Sequence, residues 1–166
     1  MTVAKAMTAG YFPMGAMMTR KEIVDQMPGF MHVHTYNGHP IGAAAALATI
    51  SAYERDNLVA RSKEMGKYAL DALKRLEKHP VVGEVRGLGM WMAVDFTADK
   101  KTKAAFTDDT VKAIARRARD KGLLVSAIGT AIEIAPPLVA KREELDRCAE
   151  ILEQAINEVA RERNLV

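Results

Sequence analysis

The order of elements readable in this 166-residue sequence predicts a mixed α and β protein that ends in a compact α+β unit from about residue 80 onward. Three observations predict it. Val81, Val82 and Val85, followed by Met90 to Phe96, carry the β-branched and apolar runs of two strands on either side of a Gly87-Leu88-Gly89 bend. "LLVSAIG" (123–129) and "AIEIAPPL" (131–138) form a second strand pair around a Gly-Thr turn. Amphipathic helices follow each pair, so a small, mostly antiparallel sheet covered by helices is the expected arrangement.

The helices are justified by their spacing. Over 108–121, Val111, Ile114, Ala115 and Ala118 fall on one face, and Lys121-Gly122 supplies a C-cap. From about Arg142 to Arg163, Leu145, Cys148, Leu152, Ala155, Ile156 and Val159 line one side. The stretch 97–107 is polar and reads as a loop. Ahead of this unit, a helix beyond Asp56-Asn57 runs to about Lys78 with Leu58, Met65, Ala69, Leu73 and Leu76 on its apolar face. "PIGAAAALATISAYERD" begins with Pro at a first helical position and presents a small-residue face suited to tight packing. Residues 1–38 are rich in Gly, Met and Pro and lack helical periodicity over most of their length. Within them "MGAMMT" (14–19) reads as a short buried strand. "TRKEIVDQM" (19–27) reads as a short helix with Thr19 as N-cap and Glu22 completing a capping box. The texture changes at Pro40, and the compact α+β unit begins at about residue 80.

Composition narrows the function. Hydrophobic residues make up 49% and charged residues 27%, with a net charge of +3. Basic residues are interspersed with acidic ones, which argues against a nucleic-acid surface. The one cysteine, Cys148, lies in an apolar helical pattern, so no disulfide framework exists and a reducing compartment is expected. No run of about 18 apolar residues occurs, so no membrane span is expected and a cytoplasmic location is the default. The ten methionines outnumber all the aromatics, and core packing is the plain reading of them.

The chemistry is concentrated near the front. Lys5 is a single cation in an apolar stretch, followed by small residues, Gly10-Tyr11 and a Pro13-x-Gly15 turn. Apolar surroundings disfavour a charged ammonium and favour the free amine, the form that condenses with an aldehyde. Gly10 and Gly15 would let backbone approach a flat cofactor. "HTYNGHP" (34–40) precedes a helix start, where a Thr35 hydroxyl and loop amides suit a phosphate. The plain alternatives are a snorkelling surface lysine and an ordinary capping threonine. His32, His34 and His39 raise a metal site, but no Cys or carboxylate cluster completes a ligand set. Capping and packing explain these histidines better, and no metal is expected.

The segments "AKAMTAGYFPMGA" (4–16), "HTYNGHPIGAAAALATI" (34–50), "VRGLGMWMAVDF" (85–96) and "IEIAPPL" (132–138) resemble, in order and spacing, the class-III aminotransferases. The resemblance covers essentially the whole chain. It implies the α/β fold of pyridoxal-phosphate-dependent transferases, aspartate-aminotransferase fold type I. Residues 1–79 would be the end of the cofactor-binding large domain and linking helices, and 80–166 the small α+β domain. It implies pyridoxal 5'-phosphate as cofactor, an amine or omega-amino acid and a 2-oxo acid as substrates, and a homodimer. The family lysine aligns with Lys5, which would hold the cofactor and move the proton between substrate and cofactor carbons. The family threonine aligns with Thr35, which in such dimers reaches the phosphate bound mainly by the neighbouring subunit.

Two departures qualify the resemblance. Relatives that bind a substrate α-carboxylate often carry Arg where Glu133 stands, and Glu would repel that group. Arg86 in "VRGLG" reads as a structural residue. In the family, a Gly-Ser loop, a ring-stacking aromatic and an Asp that pairs with the pyridine nitrogen all precede the lysine. Here only Met1 to Ala4 precede it. The chain is therefore expected to correspond to the C-terminal part of such an enzyme and to be inactive alone. A non-catalytic fragment that acts as an assembly module is the alternative.

Overall fold

The computed structural model describes residues 1–29 and 32–165. They fall into two compact units, Met1–Leu58 and Val59–Val166.

In the first unit, strand β1 (Thr2–Ala4) pairs antiparallel with β2 (Gly15–Met17), in the register Thr2↔Met17, Val3↔Ala16 and Ala4↔Gly15. A 3-10 turn, Lys5–Thr8, follows β1 directly. The strand expected within "MGAMMT" is present but not buried. A two-stranded ribbon has no second layer, and only the central residue of each strand is partly covered. Helix α1 is one turn, Lys21–Val24, and its N-cap is Arg20, with no side-chain cap. The capping box expected from Thr19 and Glu22 does not form, because the helix starts one residue too late for Thr19 to reach its free amides. An exposed Lys21–Asp25 ion pair of 2.7 Å spans the turn instead.

Helix α2 (Pro40–Arg55) opens on its proline, as the sequence predicts. Of its small-residue face, Gly42 and Ala46 are buried. Ile41, Leu47 and Ile50 remain more than half exposed, so tight packing is realised over only part of the helix.

The second unit holds the main core. Helix α3 (Leu58–Lys74) and a 3-10 turn (Arg75–Lys78) lead into strands β3 (Val82–Leu88) and β4 (Trp91–Phe96). Helix α4 (Thr110–Asp120), strands β5 (Ser126–Ile128) and β6 (Ala131–Ile134), and helix α5 (Arg142–Glu162) complete it. The sheet is antiparallel throughout, in the order β3-β4-β6-β5. Alternation along β4 and β6 sends Met92, Val94, Phe96, Ile132 and Ile134 into the core, where Ile114, Leu152 and Ile156 meet them. Met65, Ala69 and Leu73 of α3 belong to the same cluster. The compact units part at Leu58 and Val59, whereas the domain division implied by the resemblance lies between residues 79 and 80. The apolar stripe of α3 is satisfied by the sheet that follows it. Cys148 is buried there, and desolvation pushes its thiol up to about 11, so it stays protonated and acts as a small apolar side chain.

Three polar devices fix this unit. Arg61 on α3 donates from Nε to the carbonyl of Leu138 (3.0 Å) and from Nη2 to those of Val139 (3.1 Å) and Ala140 (2.7 Å), holding the segment after β6. Ser62 Oγ accepts from the amide of Met90 at 3.3 Å. Arg163 bonds Asp108 and Asp109 while Arg117 bonds Glu158 and Glu162, tying α4 to α5.

Close backbone contact makes Gly66 the most sensitive position of α3. A Cβ there would lie 2.1 Å from the carbonyl oxygen of Gly89, in a hairpin turn where Gly89 itself takes φ +57°. Gly66→Ala is expected to cost about 1–3 kcal/mol in urea unfolding, the usual range for overpacking. An unchanged midpoint would contradict the contact. The α4–α5 bracket sets a pH dependence. Asp109 is lowered to about 2, first by the hydrogen bond from Arg116 and then by that from Arg163. A lowered folded pKa gives stability that is complete above the unfolded value of about 3.9 and lost as pH falls through the folded one. The stability gap between the native chain and Asp109→Asn should be constant above about pH 5 and should close toward pH 2. Acid unfolding followed by circular dichroism measures it.

Candidate active site

The Lys5 region is built on an unusual backbone. Ala4 ends β1 in an extended conformation, and the next residue, Lys5, takes φ +55°. Ala9 at φ +50° and Gly10 at φ +80° close the same turn. A left-handed conformation at a non-glycine residue costs roughly 1–2 kcal/mol and persists only where neighbours enforce it. Here the enforcing group is Thr8, which is fully buried. Its hydroxyl donates to the carbonyl of Phe12 and lies 3.5 Å from that of Lys5. Ala9 donates to Ala6 and Tyr11 to Thr8, each at 3.0 Å.

The Lys5 side chain is exposed. Among the described residues its amine has no hydrogen-bond or ion-pair partner. The desolvation expected from its apolar neighbours in sequence is not supplied by this chain. Those neighbours lie on a two-stranded ribbon and in a turn, neither of which can enclose a long side chain. A Cβ added at Gly10 would meet nothing within 4 Å, whereas one at Gly15 would lie 3.4 Å from the carbonyl oxygen of Val3 within the ribbon.

Thr35 opens the turn 35–38, which Asn37 N to His34 O (2.9 Å) and His39 N to Tyr36 O (3.3 Å) hold together. Gly38 takes φ +68° there. Thr35 is exposed, and among the described residues its hydroxyl has no partner. Helix α2 begins immediately after, and its N-cap, His39, makes no side-chain cap. The free amides of the first turn are thus left for another acceptor. No hydrogen bond brings Lys5 and Thr35 together within one chain.

The histidines divide. The Nε2 atoms of His32 and His34 lie 2.7 Å apart in an exposed segment, on one side as their spacing predicts. His39 instead stacks on Phe12, with ring centroids 4.7 Å apart and an interplanar angle of 29°. Among the described residues, no group of three or more His, Cys, Asp or Glu side chains is placed to hold a metal ion.

On the outer face of the four-stranded sheet, Glu133 accepts a hydrogen bond from the indole of Trp91. Arg86 bridges Glu84 (3.2 Å) and Asp95 (2.9 Å) across β3 and β4, in keeping with its expected structural role. Sequence reading did not single out Thr8 or Phe12. Phe12 stands inside the quoted motif, but nothing in its residue type signals that its carbonyl anchors the Lys5 turn.

Comparison with known proteins decides the family. The profile described as "Aminotransferase class-III" matches residues 1–156. The chain belongs to the class-III aminotransferase family. Family relatives include the putrescine–pyruvate aminotransferase of Pseudomonas aeruginosa, 36% identical over 165 residues, 96% of this chain and 36% of that protein. The leucine/methionine racemase of Thermococcus litoralis is 37% identical, across 95% of this chain and 36% of that protein. Among solved class-III folds, an amine transaminase from an uncultivated Pseudomonas species, in its pyridoxal-phosphate-bound form, superposes with a TM-score of 0.89. It shares 38% identity, over 95% of this chain and 38% of its own. The chain thus spans a little over a third of the length of the relatives it matches, with the fold of the corresponding part of a fold-type-I transaminase. Among the described residues no helix is long and apolar enough to cross a membrane.

The strain at Lys5 is testable apart from any ligand. Glycine adopts φ +55° freely, whereas alanine does not. Lys5→Gly is expected to be about 1 kcal/mol more stable than Lys5→Ala in chemical denaturation of the first unit. Equal stabilities would show that the left-handed corner is not retained.

Proposed function

We propose that this chain is the lysine-bearing part of a pyridoxal-phosphate-dependent aminotransferase that moves an amino group between an amine or omega-amino acid and a 2-oxo acid. The observation that carries the reading is Lys5 itself: an exposed primary amine with no partner among the described residues, on a corner of positive φ, within the stretch matched by the class-III profile. The donor set fits the cofactor. An amine suits its aldehyde, and a free hydroxyl beside an uncapped helix end suits its phosphate. When bound, pyridoxal phosphate supplies the electron sink that stabilises a carbanion at the amine-bearing carbon.

The protein residues have distinct tasks in this reading. Lys5 Nζ would hold the cofactor aldehyde and would serve as the base and acid that carries the proton at the substrate carbon. Thr35 Oγ1 donates to the phosphate, aided by the amides that open α2. Thr35 serves the neighbouring subunit's cofactor in a homodimer, as the resemblance to the family implies. Residues 1–79 supply the lysine and the linking helices, and 80–166 the small domain. Glu133, which accepts a hydrogen bond from Trp91, is no partner for a substrate α-carboxylate, so the carboxylate of the 2-oxo acid is left to another residue or is recognised otherwise. The location is cytoplasmic, and neither nucleic acid nor membrane takes part. Turnover is assigned to a site in which Lys5 is covered, since water-excluded surroundings are what such proton transfers need.

Titration with pyridoxal phosphate, followed by visible absorbance, tests the reading. A new long-wavelength band that is abolished in Lys5→Ala, and fixed to Lys5 after borohydride reduction and peptide mapping, is the expected result. Identical spectra for both chains would favour a non-catalytic assembly module.

A further inference from the structure

We propose that His39 is a positioning residue whose imidazole, stacked on Phe12, holds the Lys5 turn and the Thr35 turn in one arrangement. The inference rests on the reading of those two residues as cofactor-binding, and it assigns His39 a role as a flat ring, not as a hydrogen-bonding group.

Five contacts carry it, all within the Met1–Leu58 unit. Phe12 and His39 are stacked at 4.7 Å. The Phe12 ring also sits over Gly42, where a Cβ would lie 2.8 Å and 3.0 Å from its Cδ1 and Cε1 atoms, so α2 accepts the ring only because residue 42 is glycine. The carbonyl of the same Phe12 takes the buried hydroxyl of Thr8, which closes the turn that begins at Lys5. On the other side, the His39 amide bonds the Tyr36 carbonyl and closes the turn that begins at Thr35, while the Tyr36 and His39 ring centroids are 6.0 Å apart. The ring stack is therefore one link, beside the packing of the Lys5–Thr8 turn on α2, between two turns that are more than twenty residues apart in sequence.

The nitrogen of His39 identifies the kind of link. Nδ1 is buried and has no hydrogen-bond partner among the described residues. A buried polar atom without a partner is costly, and a phenyl ring in its place would remove that cost while keeping the stack. Ring stacking accounts for the position without it. A phenyl ring should then replace the imidazole, and a small amide should not.

The experiment compares His39→Ala, His39→Phe and His39→Asn with the native chain by two readouts. The first is amide hydrogen exchange at Ala9 and Tyr11 without cofactor, with the Val59–Val166 amides as the folding control. The second is the dissociation constant for pyridoxal phosphate from absorbance. His39→Ala should speed exchange at Ala9 and Tyr11 selectively and weaken binding about tenfold, the upper range for one lost aromatic pair. His39→Phe should restore both to within about twofold, and His39→Asn should restore neither. Unchanged exchange at Ala9 and Tyr11 in His39→Ala, or rescue by Asn but not by Phe, overturns the proposal. If the native chain takes up no pyridoxal phosphate, the reading of Lys5 fails on its own, and the exchange arm still decides the role of His39.

Discussion

The Lys5 corner depends on one hydroxyl. Thr8 is fully buried, and its Oγ1 is committed to the carbonyl of Phe12. Without that bond, a lysine and an alanine in left-handed conformations would have little reason to stay there, because each gains roughly 1–2 kcal/mol by relaxing. The same contact sets the position of Phe12, and Phe12 determines what α2 can look like at Gly42. A short polar interaction thus propagates outward: it fixes the turn, the turn carries Lys5, and the residue whose carbonyl receives the bond lays its ring against the helix beside it. In a unit with little apolar burial, hydrogen bonds and ring contacts carry a larger share of the order.

The two units are stabilised by different means. The second has a contiguous core in which Val94, Ile132, Leu152 and Ala155 are fully buried, and charged pairs merely brace its helices. Exposed pairs of that kind contribute little individually, so the α4–α5 bracket matters for its pH response more than for its size. The first unit buries few side chains and leaves Ile41, Leu47, Ile50 and Tyr11 largely in water. The residues proposed to carry chemistry lie in this less consolidated part. That placement follows from their tasks: a group that must meet a cofactor, and a hydroxyl that must meet a phosphate, cannot be consumed by internal bonds.

Much of the fold was legible because burial follows period. Leu58, Met65, Ala69, Leu73 and Leu76 are all buried, as their helical spacing requires, and the two hairpins of the small sheet lie where glycine marks the turns. Legibility failed where local pattern and tertiary context part. Thr19 and Glu22 have the spacing of a capping box, yet the one-turn helix starts from Arg20, since a pattern cannot reveal how little helix there is to cap. The run at 14–19 is apolar without being covered. Lys5 and Thr35 could be picked out by residue type and motif, but the left-handed φ of Lys5 could not, because nothing in a lysine encodes it. Thr8 and Phe12 stayed hidden for a related reason: their importance lies in a side chain bonding to a backbone carbonyl, and every residue type offers that acceptor.

Under the proposed function, orientation and activation of the Lys5 amine are separate problems. Orientation is solved locally, by Thr8, by the 3-10 turn and by the seat of Phe12 on α2. Activation requires apolar cover, which the described residues do not provide, since the side chain is exposed. In the proposed enzyme these two requirements fall on different surfaces. The strained turn aims the amine whether or not anything lies over it, and the cover changes its reactivity without having to move it. Such a division explains why backbone strain is tolerated at Lys5: strain held by a buried hydroxyl is independent of solvent, so the geometry needed for chemistry is in place before the surroundings that make the chemistry fast.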